Sequence, residues 1–167
     1  ITELQFAAGI DIIQLREKQM TDRQKLQFAF EIKKLSVKYN KLFIVNDDIL
    51  IAKLSGADGV HLGQDDLDIG YAREILGSEK IVGLSTHNLK QYCYAQKSIA
   101  DYTAIGPVFP TLTKENPAPV VRVENLESIL ENKKKFTIGI GGINTVNIAE
   151  LLKFNLDCFA IVSDIVC

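Results

Sequence analysis

What this chain has little of narrows its function first. Its three cysteines, Cys93, Cys158 and Cys167, form no C-x-x-C pair and are odd in number. They read as reduced thiols of a cytoplasmic protein, two of them buried. Histidine is scarcer still: only His61 and His87 are present, and neither has a His or Cys partner at zinc-ligand spacing. No apolar run approaches the roughly 20 residues that a membrane span needs, and no signal peptide is visible. The net charge is −2 and the basic residues do not collect in a patch, so nothing calls for a nucleic-acid partner. No linker or low-complexity tract divides the 167 residues. They are read as one domain, 1–167, with a sizeable core. The first residue is Ile1 rather than methionine and the last ones follow directly on a strand, the pattern of a chain with cut ends.

What is present alternates. Apolar residues make up 47% and charged ones 24%, ordinary for a soluble globular protein. Thr2 to Ala8 reads as a helix stopped by Gly9, ahead of a strand Ile10–Arg16. Thr21 is placed to cap a helix reaching about Tyr39, with Phe28, Ile32, Leu35 and Tyr39 at helical spacing. Leu42–Val45 is a continuous apolar strand of the kind buried on both faces. Further strands are expected at Gly59–Leu62, Lys80–Leu84, Tyr102–Ile105, Phe136–Ile140 and Cys158–Val162. The helices between them are expected at Ile49–Leu54, Ile69–Leu76, Leu89–Ile99, Glu124–Glu131 and Val146–Phe154.

Strands alternating with helices demand parallel pairing through right-handed crossovers. A small or turn residue, then x-Asp, then a strand recurs at Asp11, Asp58 and Asp157, more loosely at Asp101, with steps of 47, 43 and 56 residues. Such a quasi-repeat suits an α/β fold of the parallel (βα)8 barrel type better than a doubly wound sheet. Seven strands are countable against eight expected, so the first strand is read as absent.

Chemistry gathers where the strands end. Gln14, Arg16 and Lys18 alternate along an extended segment and so project to one side, an amide and two cations suited to a phosphorylated ligand. Asn46-Asp47-Asp48 and His61-Leu-Gly-Gln-Asp-Asp66 offer carboxylates from two neighbouring strands, a hard-oxygen set for Mg²⁺ with a diphosphate. Ser85-Thr86-His87 ends another strand. The exit Gly106–Lys114 is long, with Thr111, Thr113 and Lys114 on it, and is expected to act as a lid. Gly141-Gly142 and Val162-Ser163 end the last two strands, where barrels of this type often hold phosphate.

In these motifs the chain resembles the thiamine phosphate synthase family. The matching runs are QLREK at Gln14–Lys18, ND at Asn46-Asp47, GVHLGQDDL at Gly59–Leu67, STH at Ser85–His87, GPVFPTLTK at Gly106–Lys114, IGGI at Ile140–Ile143 and VS at Val162-Ser163. The resemblance implies condensation of a hydroxymethylpyrimidine diphosphate with a thiazole phosphate, with release of pyrophosphate. It implies that Gln14, Arg16, Lys18 and Asn46 hold the pyrimidine diphosphate, that Ser85 and Lys114 contact its diphosphate end, and that Asp47 and Asp66 bind Mg²⁺. Arg16, Lys18, Ser85 and Lys114 are the catalytic set it implies. Thr111, Thr113, Gly142, Val162 and Ser163 would hold the thiazole phosphate. Asp164 stands where the family usually has a small neutral residue. Two other readings compete: a thiazole tautomerase in which His87 moves a proton, and a non-catalytic thiazole-phosphate-binding protein. Small molecules are the expected partners, and the oligomeric state is left open, a homo-oligomer included.

Overall fold

The computed structural model describes residues 1–111, 113 and 118–166, with the side chain of Val166 left aside. The chain divides into two compact units, Ile1–Gly83 and Leu84–Cys167. The boundary falls inside a strand, Ile81–Thr86. Strand order follows chain order from β1 to β7.

The first unit opens with helix α1 (Thr2–Ala7), strand β1 (Ile12–Leu15) and helix α2 (Asp22–Tyr39). Thr21 closes a full capping box with Gln24, and Asn40 ends α2 in the left-handed region at φ 53°. These satisfy the orphan amides and carbonyls at either end of the helix. Its buried stripe is Ala29, Ile32 and Ser36. Phe28, expected on the core face, is 46% exposed. Small residues let the helix sit close, and the stripe they define lies beside the aromatic. Strands β2 (Leu42–Asn46) and β3 (Gly59–Leu62) flank helix α3 (Ile49–Ser55), and helix α4 (Ile69–Leu76) follows. β1 pairs with β2, and β2 with β3, both in parallel. Phe43, Ile44 and Val45 are buried in succession, as a strand covered on both faces requires.

The second unit takes the end of β4 (Ile81–Thr86), then helix α5 (Leu89–Lys97), β5 (Tyr102–Ile105), helix α6 (Val123–Leu130), β6 (Phe136–Ile140) and β7 (Cys158–Ala160). The pairs β5–β6 and β6–β7 are parallel. Tyr92, Ile105, Val108, Leu126 and Leu151 form its core. The helix expected over Val146–Phe154 is only a 3₁₀ turn, Ile148–Glu150. Asn144 Oδ1 accepts from the N–H of both Val146 and Asn147 and Ile148 N bonds Asn144 O at 3.0 Å, as at a helix start, but the turn does not continue as an α-helix. The last helix, expected to be absent, begins as α7 (Ser163–Val166). Two of the three cysteines were expected to be buried, but Cys93 and Cys158 are each of intermediate exposure. Among the described residues no helix is long and apolar enough to cross a membrane.

The x-Asp echo has a physical job at the N-terminal ends of two strands. Asp58 Oδ2 accepts from Phe43 N at 2.9 Å while Oδ1 takes Lys33 Nζ at 2.6 Å. Asp157 Oδ2 accepts from Thr137 N at 2.8 Å and takes Lys133 Nζ at 2.7 Å. In each case the same aspartate's own N–H returns a bond to the same residue's carbonyl. Each aspartate therefore fixes parallel register against the preceding strand. Burial opposes ionisation of Asp157, but Lys133 and the Thr137 N–H outweigh it and hold its carboxyl below the ordinary value. A depressed carboxyl stabilises the fold above its unfolded pKa and loses that contribution as pH falls through the folded one. Asp157→Ala should cost about 1–3 kcal/mol by orphaning the Thr137 amide. Thermal melts of parent and variant should differ most near neutral pH and converge in acid. Equal melting temperatures at pH 7 would contradict the clamp.

Candidate functional site

In the first unit, β1 delivers Gln14 at the register position opposite Ile44, and β2 delivers Asn46 opposite His61. β1 ends at Leu15, one residue short of Arg16, so Arg16 and Lys18 stand on the loop beyond it. Gln14, Arg16 and Lys18 are all exposed whereas Leu15 and Glu17 are partly covered, which keeps the expected alternation.

Asp47 sits in a turn few residues adopt. Its φ is +63°, and the Asp48 N–H bonds Asn46 O across it at 2.8 Å. A three-residue turn at positive φ is uncommon for a side-chain-bearing residue and is tolerated best by Asn and Asp. Asp47 N also bonds His61 O at 2.8 Å, tying the turn to β3. Asp48 is used differently: it caps α3 through Ile51 N and pairs with Lys25 at 3.0 Å. Asp48 is thus structural, and Asp47 is the carboxylate left to the site.

Lys18 Nζ forms an ion pair with Asp47 Oδ2. Asp66, whose Oδ2 accepts from Gly63 N at 2.6 Å, is hydrogen-bonded to Asp47 as well. Burial works against both carboxylates. Asp47 is held below its ordinary value nonetheless, by its bonds to Asp66 and Lys18 and by the charges of Lys18 and Arg16. Asp66 is pushed up, by burial first and then by Asp47 beside it. Two neighbouring carboxylates disfavour each other's ionisation, so the two are pushed apart, Asp47 downward and Asp66 upward. A cavity of about 320 Å³ lies alongside, lined by Leu15, Lys18, Lys25, Asn46, Asp47 and Ile51 among others. Among the described residues no three or more His, Cys, Asp or Glu side chains gather as a metal set.

A raised folded pKa at Asp66 penalises the fold as pH rises through it, because the proton is then lost. Asp66→Asn keeps an N–H donor toward Asp47 and removes that penalty. Its melting temperature at pH 7–8 should equal or exceed the parent's, with the difference closing on acidification. A variant clearly less stable than the parent at pH 8 would mean that the two carboxylates do not share a proton.

In the second unit, Ser85 is buried near the end of β4. Thr111 Oγ1 bonds Thr113 Oγ1 at 3.0 Å and accepts from Thr113 N at 3.2 Å, so the two hydroxyls lie together. Gly142 has φ +67°, and a Cβ there would overlap Pro110 O. Its carbonyl accepts from Asn147 Nδ2 at 2.9 Å. Val162 and Ser163 are exposed. Asp164 Oδ2 accepts from Thr145 N at 2.8 Å and from Thr145 Oγ1 at 3.1 Å, a partnership no sequence signal indicated. Lys114 lies outside the described residues, as do positions 112 and 115–117 of the loop Gly106–Pro119 that was expected to act as a lid. The root of that loop is fixed: Val108 N bonds Ile140 O and Phe109 N bonds Gly141 O, both at 3.0 Å, and Val121 N bonds Pro107 O at 2.7 Å.

A parallel α/β protein with paired carboxylates and cations at the C-terminal ends of its strands belongs to the class of enzymes that handle phosphorylated small molecules. Known proteins agree. The thiamine monophosphate synthase family (TMP-TENI) matches residues 1–165. The thiamine-phosphate synthase of Dictyoglomus thermophilum is 45% identical over 159 residues, covering 95% of this chain and 71% of that protein. That of Prochlorococcus marinus subsp. pastoris is 46% identical over 98% of this chain and 46% of its own length. Among solved structures, thiamine phosphate pyrophosphorylase from Pyrococcus furiosus superposes with a TM-score of 0.89 at 35% identity, covering 97% of this chain and 77% of that one. The chain belongs to the thiamine monophosphate synthase family.

Proposed function

We propose that the chain is a transferase that joins a hydroxymethylpyrimidine diphosphate to a thiazole phosphate, giving thiamine phosphate and pyrophosphate. The observation that carries this reading is the Asp47–Asp66 carboxylate pair with Lys18 upon it, in a chain of this family. The donor set fits a hard cation. Asp47 and Asp66 would hold Mg²⁺, a cation that prefers carboxylate oxygens and would offset the repulsion that raises Asp66. When bound, Mg²⁺ neutralises charge on the departing diphosphate.

The chain's own residues supply the rest. Gln14 and Asn46 orient the pyrimidine diphosphate, and Ser85 hydrogen-bonds its diphosphate end. Arg16, Lys18 and Lys114 meet the charge that grows on pyrophosphate as its C–O bond breaks. The electron pair leaves with pyrophosphate, and the aminopyrimidine ring stabilises the benzylic-type cation left behind. The thiazole nitrogen then donates its lone pair to that carbon, so no covalent enzyme intermediate is needed. Thr111, Thr113, Gly142, Val162 and Ser163 hold the thiazole phosphate, and the loop from Gly106 to Pro119 keeps water off the cation.

The finer architecture proposed with this is a (βα)8 barrel in one domain, to which seven parallel strands in chain order belong and which an eighth would complete. A boundary between units that falls inside β4 supports one domain rather than two. The tautomerase alternative is disfavoured by the relatives at 45% and 35% identity, which are a thiamine-phosphate synthase and a thiamine phosphate pyrophosphorylase. The test is pyrophosphate release measured with both substrates, with each alone, and with thiazole phosphate alone for isomer exchange. Release only with both substrates is expected. Isomer exchange without release would favour the tautomerase.

A further inference from the structure

His87 is half-buried and has no part in the chemistry proposed above. Its surroundings give it another one. The first turn of α5 fixes its backbone: His87 N donates to Gln91 Oε1 at 2.8 Å, and Gln91 N is in turn held by Asn88 Oδ1 at 3.0 Å. Its ring meets a carbonyl, which can only accept, so the 2.5 Å contact is an Nδ1–H donating to Gly106 O. Gly106 N bonds Thr86 O at 3.1 Å, so β4's end and the residue after it hold both polar groups of Gly106.

Gly106 is the point from which the long loop leaves. A Cβ there would overlap Ile140 O, and one at Gly141 would come within 2.5 Å of Pro107 Cβ. The chain runs backbone against backbone from Gly106 to Phe109, bonded to Ile140 O and Gly141 O. Gly142 follows directly, with Pro110 and Phe109 against it. A shift at Gly106 therefore passes to Gly142 and to the segment entering Thr111 without slack.

We propose that His87 is a positioning residue: its Nδ1–H docks Gly106 O and thereby sets the loop 106–111 against Gly141-Gly142, where the thiazole phosphate is bound. The inference rests on the functional reading above for its ligand but not for its geometry. Asn carries an amide N–H donor close to where histidine Nδ1 sits, whereas Gln carries it one bond further and Ala has none. The three variants therefore separate a donor in place from bulk or polarity.

Two measurements on the full chain decide the matter. Amide hydrogen exchange of Val108 and Phe109 should accelerate about tenfold in His87→Ala and His87→Gln and stay near the parent's in His87→Asn. The KM for thiazole phosphate should rise by about tenfold in the same two variants, with the KM for pyrimidine diphosphate little changed, and return toward the parent's in His87→Asn. If His87→Asn behaves like His87→Ala in both measurements, or if exchange is unaltered in His87→Ala, the docking role is overturned. Faster exchange with an unchanged thiazole KM overturns the link to substrate. A parent that forms no product from the two substrates overturns the functional reading instead, and the exchange measurement still judges the contact.

Discussion

Asp47→Asn should lower turnover by about 10²–10³-fold at fixed Mg²⁺ while leaving the fold intact. The substitution preserves size and suits the positive φ that Asp47 adopts, because Asn tolerates the left-handed region as Asp does. What it removes is the charge on which Lys18 and Asp66 both converge. Asp47→Ala should lose as much activity and also about 1–2 kcal/mol of stability, since alanine has no local hydrogen bond to offset a left-handed conformation. The comparison thus separates charge from backbone. Pyrophosphate release across a Mg²⁺ series gives the answer, and an Asp47→Asn rate equal to the parent's under limiting Mg²⁺ would remove the carboxylate pair from the mechanism.

Gly106→Ala should be the most damaging single methyl that can be added to the second unit. A Cβ at that position overlaps Ile140 O, a backbone atom in β6 that already accepts from Val108 N. Neither partner has a rotamer to give, so relief requires moving a strand end. Overpacking of this kind costs about 3 kcal/mol, which lowers the melting temperature of a chain this size by roughly 6–12 °C. Gly9→Ala is the control: a Cβ there meets nothing within 4 Å, and only its positive φ of 99° is strained. Calorimetry of the two variants should rank Gly106→Ala well below Gly9→Ala. The reverse ranking would mean that the loop root is not packed as described.

Most elements were legible because their signals are local. The Thr21 box, the apolar run Phe43–Val45 and the glycine stop at Gly9 each need only neighbouring residues to be read. The recurring Asp before a strand was visible too, although its use in fixing register required the strands to be side by side. Periodicity alone does not fix how far a helical turn runs. Apolar spacing over Val146–Phe154 suggests a helix, yet beyond the start that Asn144 caps only the 3₁₀ turn Ile148–Glu150 forms. Spacing also put Phe28 on the core face of α2, whereas Ala29 lets that helix pack more closely through its own neighbour face. In the site, the motif runs pointed to Asp47 and Asp66, but nothing in the sequence showed the turn that lifts Asp47 or the burial that raises Asp66. His87 had no legible role because its partner is a carbonyl 19 residues away, and carbonyls carry no sequence identity.

The aspartate clamps have a consequence for how such a chain can drift. Asp58 and Asp157 fasten register at the ends where β3 and β7 begin, while Asn46, Asp47, Gly106 and Gly142 serve where strands finish. Removing Asp58 or Asp157 is felt as lost melting temperature, whereas a conservative change such as Asp47→Asn at the finishing ends is felt mainly as altered kinetics. Loops at the finishing ends are thereby released from holding the sheet together. They can lengthen, shorten or change ligand while the scaffold stays in register, which leaves selection free to act on reactivity alone.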